Sequence, residues 1–168
     1  MTNPIIKINV TGFGSMTAEL YPQKAPITVA NFIKLAKQGF YEGLIFHRVI
    51  EGFMIQGGGY TEDMQNKKCE SIRGEFSSNG FSANDIKHTR GVLSMARTNI
   101  PDSASSQFFI MHMDALPLDG QYAAFGKLTD GFDVLDAIAK TETGNYGWYM
   151  QDVPTTPIVI ESVEVISE

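Results

Sequence analysis

An arginine and a glutamine set among aromatic and sulfur-bearing neighbours are the first side chains in this sequence with chemistry to offer. They lie in Leu44 to Gly59, LIFHRVIEGFMIQGGG, an apolar strand, a turn, a second apolar strand and a glycine exit. Strand alternation puts Leu44, Phe46, Arg48 and Ile50 on one face. An arginine is almost never buried without a partner. Arg48 is therefore either a functional cation or one half of a salt bridge to a carboxylate such as Glu42 or Glu51. In the second strand Met54 and Gln56 share a face, which sets an amide beside apolar neighbours. Gly57, Gly58 and Gly59 then let the backbone leave at angles that other residues resist. A guanidinium and an amide among Phe and Met describe a binding site better than a core.

Other reaction types leave no mark. There is no G-x-S-x-G, no H-E-x-x-H, no Walker loop and no dinucleotide fingerprint. His47, His88, His112 and Cys69 lack metal-ligand spacing, so neither a metal nor a cofactor is expected. His47 is taken as a structural histidine beside the site, and Cys69 as an incidental surface cysteine in preference to a reactive thiol. A Ser-His-Asp hydrolase stays open, because triads assemble in space and not in sequence.

The elements that must hold Arg48 and Gln56 are mostly strands. Ile5–Val10 and Met16–Leu20 form an opening hairpin around Gly12-Phe13-Gly14. Thr28 suits the N-cap of a helix to about Gln38, and Asp130 can cap a second helix to about Lys140. Residues 60–89 are long surface loops around one short strand near Ile72 to Phe76. Val92–Ala96, Gln107–Met111, Tyr122–Leu128 and Ile158–Ile166 read as strands, with Gly144 to Asp152 irregular. Two helices amid many short strands, without a βαβ rhythm, indicate a mainly β protein with its antiparallel sheet closed into a barrel. Phe46, Phe108, Phe125 and Phe132 are assigned to its core.

Composition narrows the class. With 168 residues, 43% of them hydrophobic, one domain over 1–168 can bury a sizeable core. A net charge of −6 argues against nucleic acid or anionic membrane as a partner. No stretch approaches the roughly 18 apolar residues of a membrane helix. The single cysteine and the absence of a visible secretory signal fit the cytoplasm, and a monomer is the default.

Three blocks carry a family resemblance. They are Phe46-His47-Arg48-Val49-Ile50 with Gly52-Phe53-Met54-Ile55-Gln56-Gly57-Gly58; Gly91-Val92-Leu93-Ser94-Met95-Ala96 with Ser106-Gln107-Phe108-Phe109-Ile110; and Leu118-Asp119-Gly120-Gln121-Tyr122 with Phe125-Gly126. From about Ile5 to Val165 the chain resembles the cyclophilin-type peptidyl-prolyl cis-trans isomerases, of the compact single-domain bacterial kind. The resemblance implies a closed eight-stranded antiparallel barrel capped by two helices. It also implies catalytic roles for Arg48 and Gln56, and a proline pocket of Phe53, Met54, Phe109 and Leu118 walled by Tyr122. Gln107 falls in the substrate groove, with Arg97 and Thr98 where the family contacts the substrate backbone. Implied partners are proline-containing peptides and unfolded or flexible proteins, in an activity that assists folding.

The residue types suit that chemistry. An X-Pro bond turns slowly because amide resonance is lost at a barrier of about 18–20 kcal/mol. In the twisted state the proline nitrogen regains a lone pair that a guanidinium can stabilise. Some positions depart from the family. Tyr122 stands where many eukaryotic members carry histidine, and keeps a flat ring with a polar tip. Pro117 stands where cyclosporin-sensitive members carry tryptophan, so cyclosporin is expected to bind weakly. Glu51 replaces a frequent proline, and Arg97 a frequent asparagine. Two rivals remain at this stage: a module that binds proline peptides without turnover, and a barrel carrying a small apolar ligand.

Overall fold

The computed structural model describes residues 2–168. β1 (Ile5–Val10) and β2 (Gly14–Leu20) form the expected hairpin, with Ile6, Ile8 and Val10 buried beside Met16, Ala18 and Leu20. β3 (Arg48–Ile50), β4 (Met54–Gly57), β5 (Val92–Met95), β6 (Phe108–Met111), β7 (Ala124–Asp130) and β10 (Ile160–Ser167) complete one sheet in the order β10-β1-β2-β7-β5-β6-β4-β3. Every neighbouring pair is antiparallel.

The sheet is not a closed barrel. Its terminal strands β10 and β3 do not pair, and it curls through 205° as an open half-barrel. Residues 43–46, just before β3, lean across the gap instead: Gly43 N donates to Ile160 O at 2.9 Å, Ile160 N to Leu44 O at 2.7 Å and Phe46 N to Ile158 O at 3.0 Å. The chain then turns away, and β3 is only three residues long. Strand number and alternation are the same in a curled open sheet and in a barrel, so sequence pattern could not separate them. A separate two-stranded ribbon, β8 (Thr143–Tyr146) with β9 (Met150–Pro154), packs against β3. This hairpin replaces the irregular segment expected over 144–152. β8 buries no face, so it left no alternation to read.

The curl encloses the main core. α1 (Pro26–Lys37) contributes Val29, Phe32, Leu35 and Ala36, and α2 (Phe132–Ala139) contributes Leu135, Ile138 and Ala139. Phe46, Phe108 and Phe125 are fully buried there, and Phe132 packs against its margin. Phe32 sits 5.4 Å from Phe108, edge to face, and 5.3 Å from Phe125. Cys69 is half-buried against this core, not loose on the surface.

Both helix caps differ from expectation. α1 starts at Pro26 behind an Ala25 cap that offers no side chain, while Thr28 is buried in the first turn. The cap comes from far along the chain: Glu75 accepts from Ile27 N at 3.1 Å, Thr28 N at 2.7 Å and Thr28 Oγ1 at 2.7 Å. A carboxylate at a helix N-terminus satisfies orphan N–H groups and complements the macrodipole. Residues 72–76 are thus an anchored loop and not a strand. α2 is preceded by Gly131 at φ 89°, a conformation Asp130 could not adopt cheaply; Asp130 ends β7 instead.

Candidate active site

Adjacent strand residues point to opposite faces. Ile55, Leu93, Phe108 and Ile110 fill the main core, so Met54, Val92, Phe109 and Met111 form a second apolar cluster on the outer face of the same strands. Register then aligns a row across that face: Arg48 opposes Gln56, Gln56 opposes Phe109, and Phe109 opposes Ser94.

Arg48 is not on the buried face with Phe46. The chain is irregular at residues 46–47, which breaks the alternation, and from β3 onward Val49 is buried while Arg48 is exposed. Among the described residues no carboxylate forms a salt bridge with Arg48, so neither Glu42 nor Glu51 claims it. Its Nη1 donates to Gln56 Oε1 at 3.3 Å, and Gln56 Nε2 donates to Gln107 Oε1 at 3.1 Å. A Cβ at Gly59 would overlap the Gln107 side chain, which is why glycine is needed there.

Arg48, Gln56, Phe53, Met54, Phe109, Leu118, Tyr122 and Arg97, with Ala96, line one cleft of about 150 Å3. Met54 and Phe109 are its buried floor. Tyr122 meets Phe109 edge to face at 5.8 Å. Thr98 and Gln107 lie outside this cleft, in an adjoining polar depression with Ser103 and Ser105 that Gln56, Ala96 and Arg97 also border. The Thr98 hydroxyl is spent within its own loop, on Ser103 Oγ at 2.8 Å. Arg97 is a wall and not a free cation. Its guanidinium lies between Phe76 at 4.7 Å and Tyr122 at 4.8 Å, and donates to Gln121 O at 2.7 Å.

Two histidine networks, unassigned in the sequence, hold the cleft in shape. His88 is fully buried, nearly parallel to Phe109 with ring centroids 6.0 Å apart. Its Nδ1 is 3.1 Å from Asp119 Oδ1 and its Nε2 2.9 Å from Ser94 Oγ. With Nδ1–H donating to the carboxylate, Nε2 accepts from the serine hydroxyl. Burial holds the His88 pKa below its ordinary value, against the pull of Asp119. These are the parts of a hydrolytic triad, but Ser94 is fully buried, so no acyl group can reach it. That closes the hydrolase alternative at this site. On the other flank His112 Nδ1 accepts from Gly52 N at 2.8 Å, while its Nε2 lies 3.0 Å from Asp136 Oδ1. Asp136 is also gripped by Arg90 at 2.8 and 3.0 Å, which fixes the turn leading into Phe53. Neither network has local spacing to read, since each joins distant segments.

Among the described residues no group of three or more His, Cys, Asp or Glu is placed to hold a metal ion. None of their helices is long and apolar enough to cross a membrane.

The family model for "Cyclophilin type peptidyl-prolyl cis-trans isomerase/CLD" matches residues 5–165. The chain belongs to the cyclophilin-type peptidyl-prolyl cis-trans isomerases. It is 45% identical over 163 residues to peptidyl-prolyl cis-trans isomerase A of Dickeya dadantii, covering 94% of this chain and 83% of that one. Against peptidyl-prolyl cis-trans isomerase B of Escherichia coli it is 43% identical over 164 residues, covering 92% and 96%. A crystal structure of a Cryptosporidium parvum cyclophilin, determined in the presence of the dipeptide Ala-Pro, superposes with a TM-score of 0.78 at 29% identity, covering 98% and 99%. Cyclophilin-type isomerisation of peptidyl-prolyl bonds is the activity of this chain.

Proposed function

We propose that Arg48 and Gln56 carry the isomerisation, and that the Phe53–Met54–Phe109–Leu118–Tyr122 cleft grips the proline ring. The observation that carries this is an exposed guanidinium, free of any carboxylate among the described residues, at the rim of an apolar cleft sized for a small ring. With the ring held on Phe109 and Met54, the peptide carbonyl on the amino side of proline turns. As the amide twists, charge localises on the proline nitrogen, and Arg48 stabilises it more than it stabilises the planar ground state. Gln56 orients the guanidinium and, with nearby backbone groups, offers a donor to the displaced carbonyl. The apolar walls exclude water and so strengthen the charge effect. No covalent bond or proton moves, so the step calls for no cofactor.

The substrates are exposed X-Pro bonds in peptides and in unfolded or flexible proteins, and the activity assists folding in the cytoplasm, where a single free Cys69 is at home. The chain acts as a monomer. Cyclosporin binds weakly, because Pro117 in the exposed turn 116–118 offers neither ring stacking nor an indole donor.

Two-dimensional exchange NMR on a short Ala-Pro peptide tests the mechanism, wild type beside Arg48→Ala. Uncatalysed exchange takes tens of seconds or more and gives no cross-peaks at sub-second mixing. Cross-peaks with wild type that vanish with a folded Arg48→Ala variant are expected. Undiminished cross-peaks with the variant overturn the role given to Arg48.

A further inference from the structure

Arg48 borders a second depression. On its other side lies a cleft of about 280 Å3 whose remaining walls are His47, Tyr149 of the hairpin turn and the β9 residues Met150, Gln151 and Asp152. The β8–β9 ribbon that builds it stands outside the main sheet. Its tip exposes Trp148 at 94%, Tyr149 at 64% and Tyr146 at 45%, with the Trp148 and Tyr149 rings edge to face at 5.5 Å. Among the described residues no large aromatic outside this hairpin is exposed, and Phe32, Tyr41, Phe46, Phe76, Phe108 and Phe125 are fully enclosed. Tryptophan and tyrosine left in water on one hairpin are the residue types that dominate binding surfaces.

Two further features sit in the same cleft. His47, beneath Tyr60 at a ring distance of 4.6 Å, has the one buried side-chain polar atom among the described residues, Nδ1, that lacks a partner. Asp152 holds φ at 60°, a left-handed conformation that few non-glycine residues adopt. Ordinary folding economy explains neither.

We propose that the β8–β9 hairpin is a second contact surface for the substrate polypeptide, taking an apolar or aromatic side chain a few residues from the proline, on the side of Arg48 away from Gln107. The inference rests on the prolyl bond lying at Arg48. Continuity commits the surface to this occupant: Arg48 borders both clefts, so an extended chain crossing the site enters the polar Thr98–Ser103–Gln107 depression at one end and the aromatic hairpin at the other. The enzyme then discriminates among prolyl sites by what flanks them, small or polar on one side and bulky and apolar on the other.

Trp148 is the only tryptophan, so its emission reports on this surface alone. The test compares a minimal Ala-Pro tetrapeptide with extended peptides carrying Phe or Leu at successive flanking positions, on wild type and on Trp148→Ala/Tyr149→Ala. Expected are a blue shift of Trp148 emission with the Phe- or Leu-flanked peptides only, and a KM for them that rises about tenfold in the double variant. Turnover of the tetrapeptide stays unchanged. Equal KM for both peptides in wild type and variant, or an equal loss on both, overturns the proposal. So does a blue shift that follows protein concentration without peptide, which assigns the hairpin to self-association. Wild type inactive on the tetrapeptide sinks the catalytic reading itself, a result distinct from all of these.

Discussion

Arg48 faces Gln56 across one rung of the β3–β4 ladder, and donates to its Oε1 at 3.3 Å. A long hydrogen bond to a neutral acceptor orients the guanidinium without neutralising it, whereas a carboxylate at that position would claim the charge. Gln56 is itself oriented by Gln107 at 3.1 Å, so the Arg48 guanidinium is the end of a three-residue relay. Gln56→Ala should lower kcat/KM about tenfold, the loss of one hydrogen bond to a charged group. Arg48→Ala should cost far more. Because the two act as a unit, the double variant should lose less than the sum. A double-mutant cycle on peptide isomerisation checks this; strict additivity would show that the relay does not orient Arg48.

Arg97 serves differently. Its guanidinium is stacked on Tyr122 at 4.8 Å and anchored to Gln121 O, so it braces the cleft wall. Arg97→Ala should free Tyr122, raising KM several-fold with kcat within about twofold, because uniform binding is lost and not transition-state stabilisation. Steady-state kinetics at saturating peptide separate the two. A collapse of kcat would put Arg97 in the chemistry.

The sequence made the site more legible than the frame. Phe53, Met54 and Phe109 are placed by the family motifs alone, because β4 and β6 are apolar on both faces and, taken by themselves, these residues read as barrel core. Arg48 lines the same cleft as the other candidates, but not by the alternation read from the sequence, since the irregular residues 46–47 reset it before β3. Three features had no local signal. Closure of the sheet depends on whether β10 and β3 meet; the α1 cap is supplied by Glu75, far along the chain; and the His88–Ser94 pair is completed by Asp119, 31 residues on from His88. Local periodicity reports which face a residue takes, and none of these is a question of faces.

Glu75 offers a stability test remote from the cleft. It is fully buried, caps α1 through Thr28 and Ile27, and its own backbone carbonyl accepts from Asn84 Nδ2 at 2.8 Å. Glu75→Ala leaves the Thr28 hydroxyl and N–H unpaired in the interior, and the Ile27 N–H unpaired at its edge. The expected cost is about 2–4 kcal/mol of unfolding free energy, with residual folded protein still active. Urea unfolding measures it; a change below about 0.5 kcal/mol would mean that water or another group replaces the cap.

Pro117 tests ligand selectivity. The turn 116–118 is exposed and already forms part of the rim next to Leu118, so a larger residue there meets no core. Pro117→Trp supplies an indole donor and a flat ring. One added hydrogen bond is worth about 1 kcal/mol, so cyclosporin affinity should rise about five- to tenfold with peptide turnover little changed. Unchanged affinity by titration calorimetry would remove Pro117 from the account of cyclosporin selectivity.

Acid sensitivity should come from His47. Burial first, and the Arg48 charge second, lower its pKa from 6.5 to about 4. The folded state therefore takes up its proton later than the unfolded chain does as pH falls. Stability from this group is complete above about pH 6.5 and is lost between there and about pH 4, a total of about 3 kcal/mol. His88, held low by the same desolvation, adds a loss of the same sign. The aspartates with lowered values, Asp85, Asp102 and Asp136, act below this window, because an unfolded aspartate titrates near pH 4. Urea midpoints at pH 7 and pH 4.5 should therefore diverge in wild type and converge in part in His47→Gln, which keeps a polar side chain without the titration. Equal pH dependence in the two proteins would remove His47 from the account and leave His88 as the group that charges on unfolding.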